Sequence, residues 1–125
     1  MARNTTAARI LRDRARANRA ATRARRAQTQ AARRIRTAPR SLTTHIIATG
    51  APMDVVSGAA AALRTQAKKA GVKGRAARIR RTLNGHARRT VTVYRYTAAQ
   101  VAEIVAAYKP RKTEYKAVRA ALLAI

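Results

Sequence analysis

The chain has 125 residues, with 29 lysines and arginines against four acids and no cysteine, giving a formal charge of +25. That length allows one domain and an appendage, and the missing cysteines exclude disulfides, thiolate metal sites and thiol catalysis. Charge of this density repels itself in the folded state, so a polyanionic partner is expected: nucleic acid, an anionic membrane face or an acidic protein.

The first forty residues hold thirteen arginines and a single acid, Asp13, and the remaining eighty-five carry ten arginines and six lysines against Asp54, Glu103 and Glu114. Both parts therefore favour the same partner. An interfacial membrane helix needs bulky Trp, Phe or Leu opposite its cations, and the chain has no Trp and no Phe. No apolar run reaches spanning length, and Met1 to Ala27 lacks the continuous apolar stretch of a secretory signal. The Arg-rich, acid-poor start shares its composition with an organellar presequence, but a cleaved presequence would leave the equally basic remainder unexplained. Abundant Ala, and Arg in preference to Lys, also fit a GC-rich genome, so part of the arginine content reflects codon usage.

Residues 1–40 read as an Arg/Ala-rich basic arm. Ile10, Leu11 and Ile35 are its only large aliphatics, too few for a core. Ala, Arg and Gln favour helix, whereas like charges four apart, such as Arg12 and Arg16 or Arg19 and Arg23, oppose it. The expectation is a segment that is disordered or frayed alone and becomes helical once phosphates screen it. The stretch from Thr37 to Ser41 reads as a linker because Pro39 pushes Ala38 out of the helical region.

Residues 41–125 read as a compact, mainly helical nucleic-acid-binding domain. The run from Ser41 to Gly50 suits a short helix ended by Gly50, with a strand as the alternative. Asp54 marks a helix start, and Val56, Ala60, Leu63, Ala67 and Ala70 follow at spacings of three and four up to Gly71. From Arg75 to Leu83 a helix aligns Ala76, Ile79 and Leu83 inward and Arg75, Arg78 and Arg81 outward. A strand there would form a hairpin through Asn84-Gly85 with Ile79, Arg81, Leu83, His86, Arg88 and Thr90 on one face, a poor core, so helix is preferred. Arg89 to Tyr96 is the clearest strand, without an evident partner. Thr97 and Gln100 form a capping box ahead of Val101, Ile104, Val105 and Tyr108, and Pro110 closes that helix. Thr113 then caps a helix carrying Tyr115, Val118, Leu122 and Ile125, completing an αα-hairpin. The fold class is thus mainly α: a helix-turn-helix-like unit, one short β element and a C-terminal αα-hairpin behind a basic arm. Its aliphatic core is small, and at about 25 cal/mol per Å² its burial barely offsets chain entropy. Homo-oligomerisation or stabilisation by a bound ligand is therefore expected.

No convergent set of nucleophilic or titratable groups suggests an enzyme. His45, beside Ile46 and Ile47, reads as a packed histidine, and no ligand spacing accompanies it, so neither a metal nor another cofactor is expected. The stretch from Gly71 to Arg75 lacks the longer frame of a phosphate loop; Gly71 reads as a helix terminator and Gly74 as a turn residue. From Leu63 to Leu83, Ala67, Gly71 and Val72 match a helix-turn-helix, although the later apolar position falls on Arg80 rather than Ile79. In that reading Arg75, Arg78 and Arg81 face a groove and Lys68, Lys69 and Lys73 lie over the flanking backbone. Arg88, Arg89 and Arg95 extend the patch, while Arg23, Arg25, Arg26, Arg33, Arg34 and Arg36 follow phosphates or enter a minor groove. Tyr94 and Tyr96 flank Arg95 but fall short of an aromatic stacking platform, and Tyr108 and Tyr115 read as core.

The function expected is non-enzymatic DNA binding of the regulatory or DNA-coating kind, in the cytoplasm and at the nucleoid in a bacterium, and suited by composition to a bacterium or phage of high GC content. A structural RNA-binding protein of the ribosomal type is the alternative, and a phage or capsid-associated assembly protein that condenses nucleic acid is the third.

Overall fold

The computed structural model describes residues 2–82, 85 and 87–125. The protein is mainly helical, with five helices and one two-stranded sheet among these residues: α1 (Ala2–Thr37), α2 (Leu42–Ala48), α3 (Met53–Ala70), β1 (Arg75–Thr82), β2 (Arg88–Arg95), α4 (Ala98–Ala107) and α5 (Thr113–Ala124). Helix α3 lies at the centre and touches α2, α4 and α5. Its Val55, Val56, Ala59, Ala60, Leu63 and Ala67 meet Leu42 and Ile46 of α2, Val101, Ile104 and Val105 of α4, and Val118 and Leu122 of α5. The recurrence every three or four residues is what turns one stripe of each helix inward.

Local chemistry accounts for the ends of these helices. The Ser41 hydroxyl accepts from the Thr44 amide at the start of α2, which confirms the helical reading of that stretch over the strand. Gly71, in the left-handed conformation at φ 71°, closes α3 with its amide on the Lys68 carbonyl, and the Val72 amide reaches Ala67. Thr97 and Gln100 form the expected capping box of α4. At α5 the N-cap is Lys112, without a side-chain cap, and Thr113 is the first helical residue rather than the cap. The Arg119 guanidinium donates to the Tyr108 carbonyl at 2.7 Å, tying α5 to the end of α4. Tyr108 and Tyr115 pack against the core as expected, whereas Ile125, at the last position of the stripe, is exposed.

One expectation is corrected. Arg75–Thr82 is a strand, so there is no helix-turn-helix. The reason lies in its neighbour: β2 exposes a full row of backbone donors and acceptors that need a partner, and a helix over Arg75–Thr82 would leave that row unpaired. Pairing with β2 outweighs the local helix preference of the Ala and Arg residues. The register is also not that of a two-residue Asn-Gly turn, which would set Ile79 opposite Thr90. Ile79 instead pairs with Val91 and Ala77 with Val93, one residue along. That step moves the apolar residues onto a common face. Leu83, Asn84 and His86, which the helical and turn readings used, lie outside the described residues. Within the arm, residues 1–40, expected to be disordered or conditionally helical, the chain forms a continuous helix, α1.

The C-terminal part of α1 packs on α2, with Ala31 buried and Gln28, Ala32 and Ile35 half-buried. The Gln28 side-chain amide reaches the Ala48 carbonyl at 3.5 Å. Residues 5–21 are exposed throughout. The expected linker is held in place, because Arg40 and Tyr96 form an antiparallel bridge with hydrogen bonds of 3.0 and 2.7 Å.

His45 is buried and its Nε2 lies 2.8 Å from the Tyr96 carbonyl. A carbonyl only accepts, so Nε2 carries the proton. Burial holds the imidazole pKa below its ordinary 6.5, partly opposed by hydrogen bonds to the Tyr96 and Arg40 backbone. The neutral form is therefore favoured in the fold, and the unfolded chain takes up more protons as pH falls. Stability contributed by His45 is complete above pH 6.5 and declines as pH drops from there toward the folded-state pKa. The four carboxylates are all exposed, so this histidine should dominate the mild-acid response. Thermal melts should give a level midpoint above pH 6.5 and a falling one below it. His45→Gln should be less stable at neutral pH and lose most of that slope.

Candidate nucleic-acid interface

The hairpin stands out from the helical body. No residue of β1 or β2 is buried, and the helices touch it only lightly. An isolated two-stranded ribbon is marginal in water, so its root is where it is held. Tyr96, directly after β2, is buried and bridges to Arg40. The Gln100 side chain, while capping α4, donates to the Lys73 carbonyl at 3.0 Å. Gly74 supplies the close approach on the other strand: a Cβ there would stand 2.9 Å from the Arg95 carbonyl oxygen and from the Tyr96 ring. Gly74 is thus a packing requirement at the hairpin root, beyond the turn role expected for it.

Alternation along the two strands sorts the side chains. One face holds Ala77, Ile79, Val91 and Val93, all half-buried, with an arginine pair at each end: Arg75 opposite Arg95 at the root and Arg81 opposite Arg89 toward the tip. The other face is exposed and carries Arg78, Arg80 and Arg88 among Thr82, Thr90, Thr92 and Tyr94, with no acid anywhere in either strand. Like charges directly opposite one another across a ladder are destabilising. Two such pairs concentrate positive charge on a ribbon that has little packing of its own, and an anion against it would relieve the repulsion.

Around this ribbon the expected residues fall into groups. Lys68 and Lys69 are exposed in the last turn of α3, where they also complement the negative end of the helix dipole, and Lys73 is exposed in the connection to β1. Arg75, Arg78 and Arg81 come from β1, and Arg88, Arg89 and Arg95 from β2, with Arg95 half-buried. Arg23, Arg25, Arg26, Arg33, Arg34 and Arg36 are exposed on α1 but do not share one side of it. Tyr94 is exposed on the outward ribbon face, whereas burial removes Tyr96 from any stacking role and raises its phenol pKa, against a lowering effect of Arg64. No group of three or more His, Asp or Glu residues that could hold a metal occurs among the described residues. Nor is any helix among them long and apolar enough to cross a membrane.

Sequence reasoning missed Arg80, because a helical reading treated it as a misplaced apolar position; period-two alternation from Arg78 to Arg80 was the available signal. It also passed over Arg9, Arg12, Arg16 and Arg19 as site residues, all exposed on α1. No family model, no curated protein and no solved structure matches the chain.

Two substitutions test this geometry. Gly74→Ala forces its methyl group into backbone and a buried ring, and should cost about 1–3 kcal/mol in denaturant unfolding. Arg81→Thr removes one like-charge pair and should raise stability by about 0.2–1 kcal/mol at low salt, with the gain shrinking as salt is added.

Proposed function

We propose that the protein is a non-enzymatic DNA-binding protein of the regulatory or DNA-coating kind, gripping duplex phosphates with α1 and the hairpin and setting the outward hairpin face against a groove. The observation that carries this reading is the hairpin: a protruding two-stranded ribbon whose two faces hold seven arginines, two pairs of them directly opposed, and no acid. The major groove of B-form DNA, about 12 Å wide, admits a two-stranded ribbon as readily as a helix. Arg78, Arg80 and Arg88 are then the side chains that meet base edges, where arginine pairs bidentately with guanine. Arg75, Arg81, Arg89 and Arg95 on the other face, with Lys68, Lys69 and Lys73 beside the root, contact the flanking phosphates. The groove role assigned from sequence to a helix at residues 75–83 passes to this ribbon.

The opposing reading is a structural RNA-binding protein, and the exposed, arginine-rich α1 is the observation in its favour. A-form RNA has a deep, narrow major groove that side chains do not read, so the ribbon favours DNA, whereas an arginine-rich helix suits either polymer. A salt-titrated gel shift with random duplex DNA, single-stranded DNA and folded RNA separates them. Duplex preference, with the logarithm of affinity falling against the logarithm of salt more steeply than about −4, is expected. A shallower slope, or preference for folded RNA, overturns the DNA reading. Replacing Arg78, Arg80 and Arg88 together by Ala should reduce discrimination among duplex sequences, while deleting residues 1–21 should weaken all of them alike.

A further inference from the structure

Arg9, Arg12, Arg16, Arg19, Arg23 and Arg26 follow one another along α1 at alternating intervals of three and four, and after Gln30 the same progression reaches Arg33 and Arg34. At roughly 100° per residue these guanidinium-bearing positions fall within a sector of about 120°. The residues that pack on α2, Gln28, Ala31, Ala32 and Ile35, are centred roughly opposite that sector. The ridge therefore points away from the body over its whole length. From Arg9 to Arg33 it extends about 36 Å, close to one turn of duplex DNA. Arg14, Arg25 and Arg36 are exposed as well but project near the packed side, and Asp13, the one acid of the helix, also lies off the ridge.

Such an arrangement opposes the stability of the free helix, since each consecutive pair from Arg9 to Arg26 is a like-charge pair at i,i+3 or i,i+4. The same arginines scattered around the helix would repel one another less. A linear polyanion laid along the ridge reverses the sign of that cost.

We propose that the arginine ridge of α1 is a second, face-specific contact surface that lies along the sugar-phosphate backbone of duplex DNA, so that the binding energy of α1 depends on which side of the helix a charge occupies and not on the total charge of the segment. The proposal rests on the DNA-binding reading given above. It divides the arginines of α1 into two classes: Arg12, Arg19, Arg23, Arg26 and Arg33 among those that meet phosphate, and Arg14, Arg25 and Arg36 among those that do not.

The test compares two triple variants of the full chain with equal charge change in the same helix, Arg12→Gln/Arg19→Gln/Arg26→Gln on the ridge and Arg14→Gln/Arg25→Gln/Arg36→Gln off it. Glutamine is a good helix former, and all six positions are exposed. Binding to a random DNA duplex is measured over a salt series. The ridge triple should flatten the log–log salt slope by about 2.7, at about 0.9 per lost phosphate contact, and the other triple by less than about 1. Equal flattening by both, no flattening by either, or a larger effect off the ridge overturns the proposal. A third variant with lysine at the three ridge positions keeps the charge and should hold the slope of the unmodified chain; loss there too would assign the effect to damage of the helix and equally overturn it. If the unmodified chain itself shows no steep salt slope on duplex DNA, the DNA-binding reading fails instead, which is a distinguishable result.

Discussion

The carbonyl of Tyr96 is the point at which the parts of this molecule are fixed to one another. It accepts the Arg40 amide at 3.0 Å and the His45 Nε2–H at 2.8 Å, while the Tyr96 amide returns a bond to the Arg40 carbonyl. Arg40 follows α1, His45 belongs to α2, Tyr96 ends the hairpin and Thr97 caps α4. One buried residue thus joins four elements. A protein with so few large apolar side chains has little packing to spare for holding protruding elements, so well-formed buried hydrogen bonds carry a large share of that work. The burial that gives these bonds their strength also keeps His45 neutral and makes the junction sensitive to acid.

Charge governs what is built around that junction. With 29 cations against four acids, the body cannot neutralise itself by internal ion pairing. The fold instead moves the arginines outward onto the two elements that contribute least to the core, the exposed part of α1 and the hairpin. Helix α1 gives its packing stripe to α2 and its opposite side to a ridge of arginines. The hairpin gives one face to a small apolar strip bracketed by opposed arginine pairs and the other to Arg78, Arg80 and Arg88. Both are unfavourable arrangements for an isolated protein and favourable ones beside a polyanion. In the DNA-binding reading they divide the work: the helix supplies backbone attraction and the ribbon the contacts with base edges.

Much of the helical body is legible in the sequence because its signals are local. Ser41 before Leu42, Gly71 after Ala70, and Thr97 with Gln100 each satisfy the orphan backbone groups of a helix end using residues within a few positions. Apolar spacing of three and four then identifies Val56, Leu63, Ile104 and Val118 as core. Where the signal is ambiguous, as at Thr113, the residue that looks like a cap sits one position inside the helix.

The sequence by itself determined the large excess of positive charge, most of the helix ends, the αα-hairpin and the strand character of Val91 to Tyr94, since each follows from composition or from neighbours in the chain. Tertiary structure alone decided that Arg75–Thr82 is a strand, that the pairing sets Ile79 against Val91, and that Tyr96 binds Arg40 and His45 more than fifty positions away. The physical reason is that a strand has no internal hydrogen bonds: its identity and register come from a partner, and a one-residue change in that pairing exchanges the buried face for the exposed one. For the same reason Arg75, Arg78 and Arg81, which a sequence reading placed on a helix, lie on a ribbon.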